Sequence, residues 1–154
     1  MQRKRLLVLI FAVIMVAAVL VLHAFGITGT GRRLEFQTLE NGWFSGHKSS
    51  AYYVINTADE WADVFERSPP PEIDFSETTV IAAFMGRRPT GGYGIEVKEI
   101  IDTGFLVVIK VEQTSPGKGC IVPEVITSPY HIVKVDKIGK GVRFDTVMRT
   151  VECD

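Results

Sequence analysis

Residues 94–111 read GIEVKEIIDTGFLVVIKV. Ile95 and Val97 fall on one side of an extended chain, with Glu96 and Lys98 on the other, which is the two-residue period of a half-buried strand. Asp102, Thr103 and Gly104 have the chemistry of a hairpin turn. Phe105, Val107, Ile109 and Val111 then share one face, so the chain folds back as a partner strand. Working outward, Thr79–Met85 (TVIAAFM) is a mostly apolar run suited to a central strand. Ser50–Asn56 (SAYYVIN) is rich in aromatic and β-branched residues and reads as another. Leu34–Glu40 alternates, with Leu34, Phe36 and Thr38 on one side. Asn41-Gly42 has the composition of a tight turn, and a strand through Trp43 and Phe44 would follow it. On the far side, 114–119 (TSPGKG) reads as a loop and His131–Lys137 as a strand with Val133 and Val135 inward. Gly139–Gly141 reads as a turn, and Val142–Met148 closes the domain.

One helix interrupts this pattern. Thr57 and Glu60 form the Thr-x-x-Glu signature of a capped N-terminus, and Trp61, Val64 and Phe65 follow at helical spacing. Ser68 and the run Pro69-Pro70-Pro71 end it. A helix this short depends on docking Trp61 and Phe65 into a core. Strands and helix do not alternate, which disfavours a parallel doubly wound sheet. The expected fold is mainly β with one short helix, of the α+β class: an antiparallel sandwich or partial barrel.

The N-terminus has a different character. Arg3, Lys4 and Arg5 precede an apolar run from Leu6 to Phe25, 20 residues whose one polar member is His23. A bilayer core takes about 20 mainly apolar residues in a helix. A cleaved signal peptide has an apolar region of only ~7–15 residues and a small-x-small cleavage site. Here Leu22 would occupy the upstream small-residue position. The run shows no polar face for a soluble helix. It therefore reads as an uncleaved signal anchor, a single transmembrane helix. Basic residues favour the cytoplasmic side, which puts Arg3–Arg5 inside and the rest of the chain outside, although Arg32 and Arg33 oppose this. The expected organisation is an anchor over 1–26, a flexible linker over 27–33 (ITGTGRR) and an extracytoplasmic domain over 34–154. The protein is expected in the cell membrane as a single-pass protein, held there through residues 6–25.

From Leu34 onward lie 12 of the 17 basic residues and all 18 acidic ones, a formal charge of −6. Phosphate binding rests on Lys and Arg, so nucleic acid is excluded as a partner. Cys120 and Cys153 are the two cysteines, and an even count in an exported domain permits a disulfide. The alternative is two free thiols. Two cysteines and the scattered His23, His47 and His131 lack metal-ligand spacing, and no cofactor is implied.

The densest local signal is Arg87-Arg88-Pro89-Thr90-Gly91-Gly92-Tyr93. Pro89 presets a turn, Gly91 and Gly92 allow positive φ, and two arginines stand beside it in an acidic domain. Tyr93 shares strand parity with Ile95 and Val97, so its ring is expected in the core. A second signal is Ser128-Pro129-Tyr130-His131, whose His131 has the parity of Val133 and Val135. Gly91-Gly92 is not a phosphate loop, because no Gly-Lys-Ser/Thr leads from it into a helix. Gly117-Lys118-Gly119 has a lysine but no hydroxyl partner. The sequence has no Gly-x-Ser-x-Gly elbow and no His-Glu-x-x-His. A Cys120–His131 thiol–imidazole pair is the one nucleophilic arrangement open to it, and it competes with the disulfide. The chain is expected not to be an enzyme.

The stretch Phe84-Met85-Gly86-Arg87-Arg88-Pro89-Thr90-Gly91-Gly92-Tyr93, with Ile95 and Val97, the hairpin 94–111, the Pro116 loop and Ser128-Pro129-Tyr130-His131-Ile132-Val133, resembles the PrcB C-terminal domain family. The likeness covers about 79–137, and the Trp61 helix is similar too. It implies a non-catalytic partner protein, since the family's namesake is an accessory subunit that stabilises a surface subtilisin-like protease. This chain departs from the lipoproteins of that family in having no lipobox cysteine. Pro89-Thr90-Gly91-Gly92-Tyr93 also resembles, in part, the Asn-Pro-Thr-Thr-Gly-Tyr/Phe loop of chagasin-like cysteine-protease inhibitors. Arg88 stands here for the Asn and Gly91 for the second Thr, and no late Arg-Pro-Trp/Phe loop is present. The expected function is a membrane-anchored, extracytoplasmic, protein-binding domain whose partner is a protease. Its contact surface would comprise Arg87, Arg88, Pro89, Thr90, Gly91, Gly92 and Tyr93, with Lys118 beside them. An inhibitor, or a ligand-binding domain using Cys120 and His131, are the alternatives.

Overall fold

The structure is a computed structural model and describes residues 31–153 together with Met15. Apart from Met15, the apolar run 6–25 lies outside the described residues, as does most of the linker expected over 27–33. Among the described residues, no helix is long and apolar enough to cross a membrane.

Within residues 31–153, eight strands and one helix follow in the order β1 (Arg32–Leu34), β2 (Phe36–Gly42), β3 (Ala51–Ile55), α1 (Ala58–Phe65), β4 (Thr78–Phe84), β5 (Gly94–Asp102), β6 (Val107–Pro116), β7 (Tyr130–Asp136) and β8 (Val142–Val151). They form two four-stranded sheets, β1-β5-β6-β8 and β2-β7-β4-β3. Inward residues of both sheets meet in one core of Ile81, Ala83, Val97, Ile100, Ile109, Val111, Val133 and Val135 among others, so the domain is a sandwich. Burial of these alternate positions is the main stabilising term, at roughly 25 cal/mol per Å² of apolar surface.

β4, the apolar run, is the strand buried on both faces. Its Ile81 and Ala83 enter the inter-sheet core. Its Val80, Ala82 and Phe84 join a second cluster with Ile55, Trp61, Ile73 and Ile132 beneath α1. Thr57 caps α1, its Oγ1 accepting from the Glu60 N–H at 3.1 Å, while Glu60 Oε2 accepts from the Asn56 N–H at 2.6 Å. The helix stops at Phe65, because Glu66 turns left-handed at φ 53°, before the prolines are reached.

Four sequence readings are corrected. Arg32 and Arg33, assigned to the linker, form most of β1 and pair with Asp102 and Ile101. Asn41-Gly42 is not a hairpin turn. Both residues stay in β2, opposite His131 and Tyr130, because ladder pairing to β7 outweighs local turn propensity. The strand continues in effect from β1, shifting from one sheet to the other at Glu35. The sandwich is not wholly antiparallel either. β8 runs parallel to β6, Val107 opposite Val142 through Pro116 opposite Val151. Parallel neighbours need a long crossover, and β7, lying in the other sheet, supplies it. Finally, β6 and β8 run on to Pro116 and Val151, past the limits read from the sequence.

His131 lies between the sheets and is 4 % exposed. Its Nδ1 accepts from the Val97 N–H at 2.9 Å, at the point where a bulge breaks the β5–β6 register. That bond places the ring proton on Nε2, which lies 2.9 Å from Thr38 Oγ1 and donates to it. Burial pushes the imidazole below its ordinary value of 6.5, against the pull of Glu96 and with a smaller push from Lys98.

Candidate functional site

The strands place four segments at one pole of the sandwich: 43–50 between β2 and β3, 85–93 between β4 and β5, 117–129 between β6 and β7, and the end of β8. The opposite pole holds the β5–β6 hairpin and the start of β1, opposite Asp102.

The loop segments are joined to one another. Arg88 and Thr127 form a two-way backbone bridge, with N···O distances of 2.8 and 3.0 Å. The Gly91 N–H donates to the Pro123 carbonyl at 2.8 Å, the Ser128 N–H to Trp43 at 2.7 Å and the Arg87 N–H to Lys48 at 3.1 Å. Thr127 Oγ1 donates to the Thr90 carbonyl at 2.8 Å. A Cβ at Gly86, where φ is +75°, would sit 2.7 Å from the backbone of Ser49 and Ser50, so only glycine permits this loop-on-loop approach. Cys120 and Cys153 form a disulfide, which clamps the 117–129 segment to the end of β8. The thiol–imidazole pair read as an option in the sequence is therefore absent, since a disulfide sulfur offers no thiolate.

Against this frame the expected contact residues separate into two groups. Arg87, Pro89, Gly92 and Lys118 are exposed. Arg88, Thr90 and Tyr93 are half-buried and Gly91 is buried. The Arg88 guanidinium donates to the Met85 carbonyl at 3.0 Å and lies 5.8 Å from the centre of the Tyr93 ring, so Arg88 holds the loop's shape. Tyr93 packs against the inter-sheet core, as its parity requires.

The sequence reading missed the apolar side chains displayed on the same pole. Trp43 is 65 %, Phe44 66 % and Ile121 102 % exposed, and Val125 and Ile126 are exposed beside them. The available signal was the long connection 117–129, which carries Ile121, Val122, Val125 and Ile126 without a strand of its own. Loops of about that length are commonly functional.

A groove of about 800 Å³ opens beside the pole, between the last turn of α1 and residues 44–49. Tyr53, Phe84, Tyr130 and Phe65 contribute its aromatic surface, with the His47 ring stacked on Phe84 at 3.7 Å. Glu40 is its polar centre. It accepts from Tyr130 Oη at 2.7 Å and from Arg67 at 2.8 Å. Burial and the bond to Glu40 push the Tyr130 phenol up to about 12, so it stays a neutral donor. Aromatic faces beside a charged pair can seat an apolar or aromatic side chain of a partner and bond its backbone. Among the described residues, no cluster of His, Cys, Asp or Glu converges as metal ligands would.

Fold and site together define a β-sandwich domain that presents a braced, partly apolar loop surface. Residues 79–136, spanning β4 through β7, match the family model described as PrcB C-terminal. No curated protein and no solved structure matches the chain.

Removing the disulfide by Cys153→Ser releases the end of β8. A 33-residue separation corresponds to about 3.7 kcal/mol on the chain-entropy account, and the expected loss lies within the ~2–4 kcal/mol typical of such bonds. The check is denaturant unfolding with and without the substitution, alongside amide exchange of residues 148–152.

Proposed function

We propose that this chain is a membrane-anchored, extracytoplasmic, non-catalytic binding subunit that holds and stabilises a partner protein, a surface protease being the partner class. The observation carrying this reading is the exposure of Trp43, Phe44, Ile121, Val125 and Ile126 at one pole of the sandwich, on loops that hydrogen bonds and a disulfide have already ordered. Large apolar side chains exposed together at one end of a domain mark candidate interaction sites. A surface ordered in advance also loses little entropy on binding. Arg87, Lys118 and Lys48 stand on the same pole, exposed, and Arg is favoured at interfaces for its paired hydrogen bonds. The disulfide accords with an extracytoplasmic position.

Pro89–Tyr93 suits this role better than that of a cleft-inserting inhibitor. Gly91 is buried against Pro123, so the loop is packed down on its neighbour.

The test is to tag the full-length chain, cross-link it in intact cells, and compare it with a double variant Ile121→Asp, Phe44→Asp. The expected result is a protease recovered with the parent chain, and both its recovery and its half-life reduced at least about tenfold with the variant. That corresponds to losing more than 1.4 kcal/mol at a buried contact. Equal recovery and half-life with both chains would sink the reading. Adding the purified chain to the protease separates stabiliser from inhibitor, since the first leaves turnover unchanged and prolongs activity.

A further inference from the structure

We infer that β8 is a self-pairing edge, through which two copies of this chain join their β1-β5-β6-β8 sheets antiparallel about Val147. β8 is an edge strand of ten residues, and all its residues from Asp145 onward are exposed. Among the described residues no strand lies on its outer side. It carries neither the proline nor the bulge that commonly blunts such an edge, and displays Val147 at 58 % and Met148 at 67 % exposure. Its inner face is nevertheless fixed. Phe144 stacks on Tyr52 of the opposite sheet at 5.0 Å, Thr146 Oγ1 bonds Tyr52 Oη at 3.2 Å, and the disulfide holds its end.

The backbone sets the register. The Val151 carbonyl accepts from the Gly117 N–H in the ladder with β6. The odd-numbered residues of β8 therefore turn their amides toward β6, and Phe144, Thr146, Met148 and Thr150 turn theirs outward. In an antiparallel pairing centred on Val147, Thr146 faces the second copy's Met148 and Phe144 faces its Thr150 as hydrogen-bonded pairs. Val147 then faces Val147 as a non-hydrogen-bonded pair, the kind that brings side chains closest. The same register sets Asp145 opposite Arg149 of the second copy and Arg149 opposite its Asp145, both at close non-hydrogen-bonded sites. One strand thus carries an apolar centre flanked by charges that are complementary only under a twofold axis. That self-complementarity selects a second copy over a strand from another protein.

The test uses the full-length chain in intact cells. Val147→Cys should give a disulfide-linked dimer as its major product under mild oxidation, because a non-hydrogen-bonded pair sets the two Cα atoms ~4.5 Å apart. Arg149→Cys should give at least about fivefold less, since its two copies would lie four residues, ~13 Å, apart along the strands. Adding Asp145→Arg to Val147→Cys should cut the dimer several-fold, and adding Arg149→Asp to that pair should restore it. The inference is overturned by a Val147→Cys chain that stays monomeric, by equal linking through residue 149, by linking chiefly to a different protein, or by a double charge swap that fails to restore the dimer.

Discussion

Replacing His131 with alanine is expected to lower the unfolding free energy by about 4 kcal/mol. The side chain is 4 % exposed and lies between the sheets. Removing it leaves a cavity, and large-to-alanine changes in cores cost about 2–5 kcal/mol. It also strips the Val97 N–H of its acceptor at a bulge, and a buried, unsatisfied donor costs ~1–3 kcal/mol. The native imidazole adds a pH dependence. Burial holds its folded pKa below 6.5, so the unfolded chain takes up the proton first. The stabilisation is complete above the unfolded value and is lost as pH falls through it toward the folded value. Denaturant unfolding between pH 7.5 and 5 should show parent stability falling with acidity and a flatter profile for His131→Ala. A flat parent profile, or a cost under 1 kcal/mol, would contradict the inter-sheet role.

Trp61→Ala is expected to cost about 4 kcal/mol as well. Trp61 is 1 % exposed and packs with Ile55, Val80, Phe84 and Ile132, its ring 4.2 Å from that of Phe65. α1 has eight residues, too few to persist without docking. Without the indole the helix detaches, and the groove wall of Asp63, Val64, Phe65 and Arg67 goes with it. The variant should therefore lose protection of the 58–65 amides as well as stability. Trp61→Phe should cost less than half as much, because the indole N–H has no hydrogen-bond partner among the described residues.

The strands were legible wherever burial imposed a period. Ile95 and Val97, Val107 through Val111, and Val133 and Val135 lie on the faces that their alternation requires, and Thr57 caps the helix where the Thr-x-x-Glu spacing placed it. The PrcB-like stretch was legible for a different reason. Its glycines, prolines and aromatics meet local demands, such as the backbone contact at Gly86, that few sequences satisfy. Asn41-Gly42 misled because turn propensity is worth a fraction of what β2 gains along β7. Of the contact residues expected from the sequence, Arg87 and Lys118 are exposed, whereas Gly91 is buried and Arg88 is half-buried against Met85 and Tyr93.

The order of apolar and polar residues along the chain was enough to specify a two-layer β fold with one docked helix. It also marked the two glycine-rich loops, because each of these depends on neighbours a few residues apart, and the even cysteine count left Cys120 and Cys153 free to pair across 33 residues. Which strands lie side by side depends on contacts between residues far apart, and periodicity does not encode those. Only the folded chain made β8 a parallel neighbour of β6, joined Val97 to His131 across the sandwich, and brought Trp43, Arg87 and Ile121 to one pole.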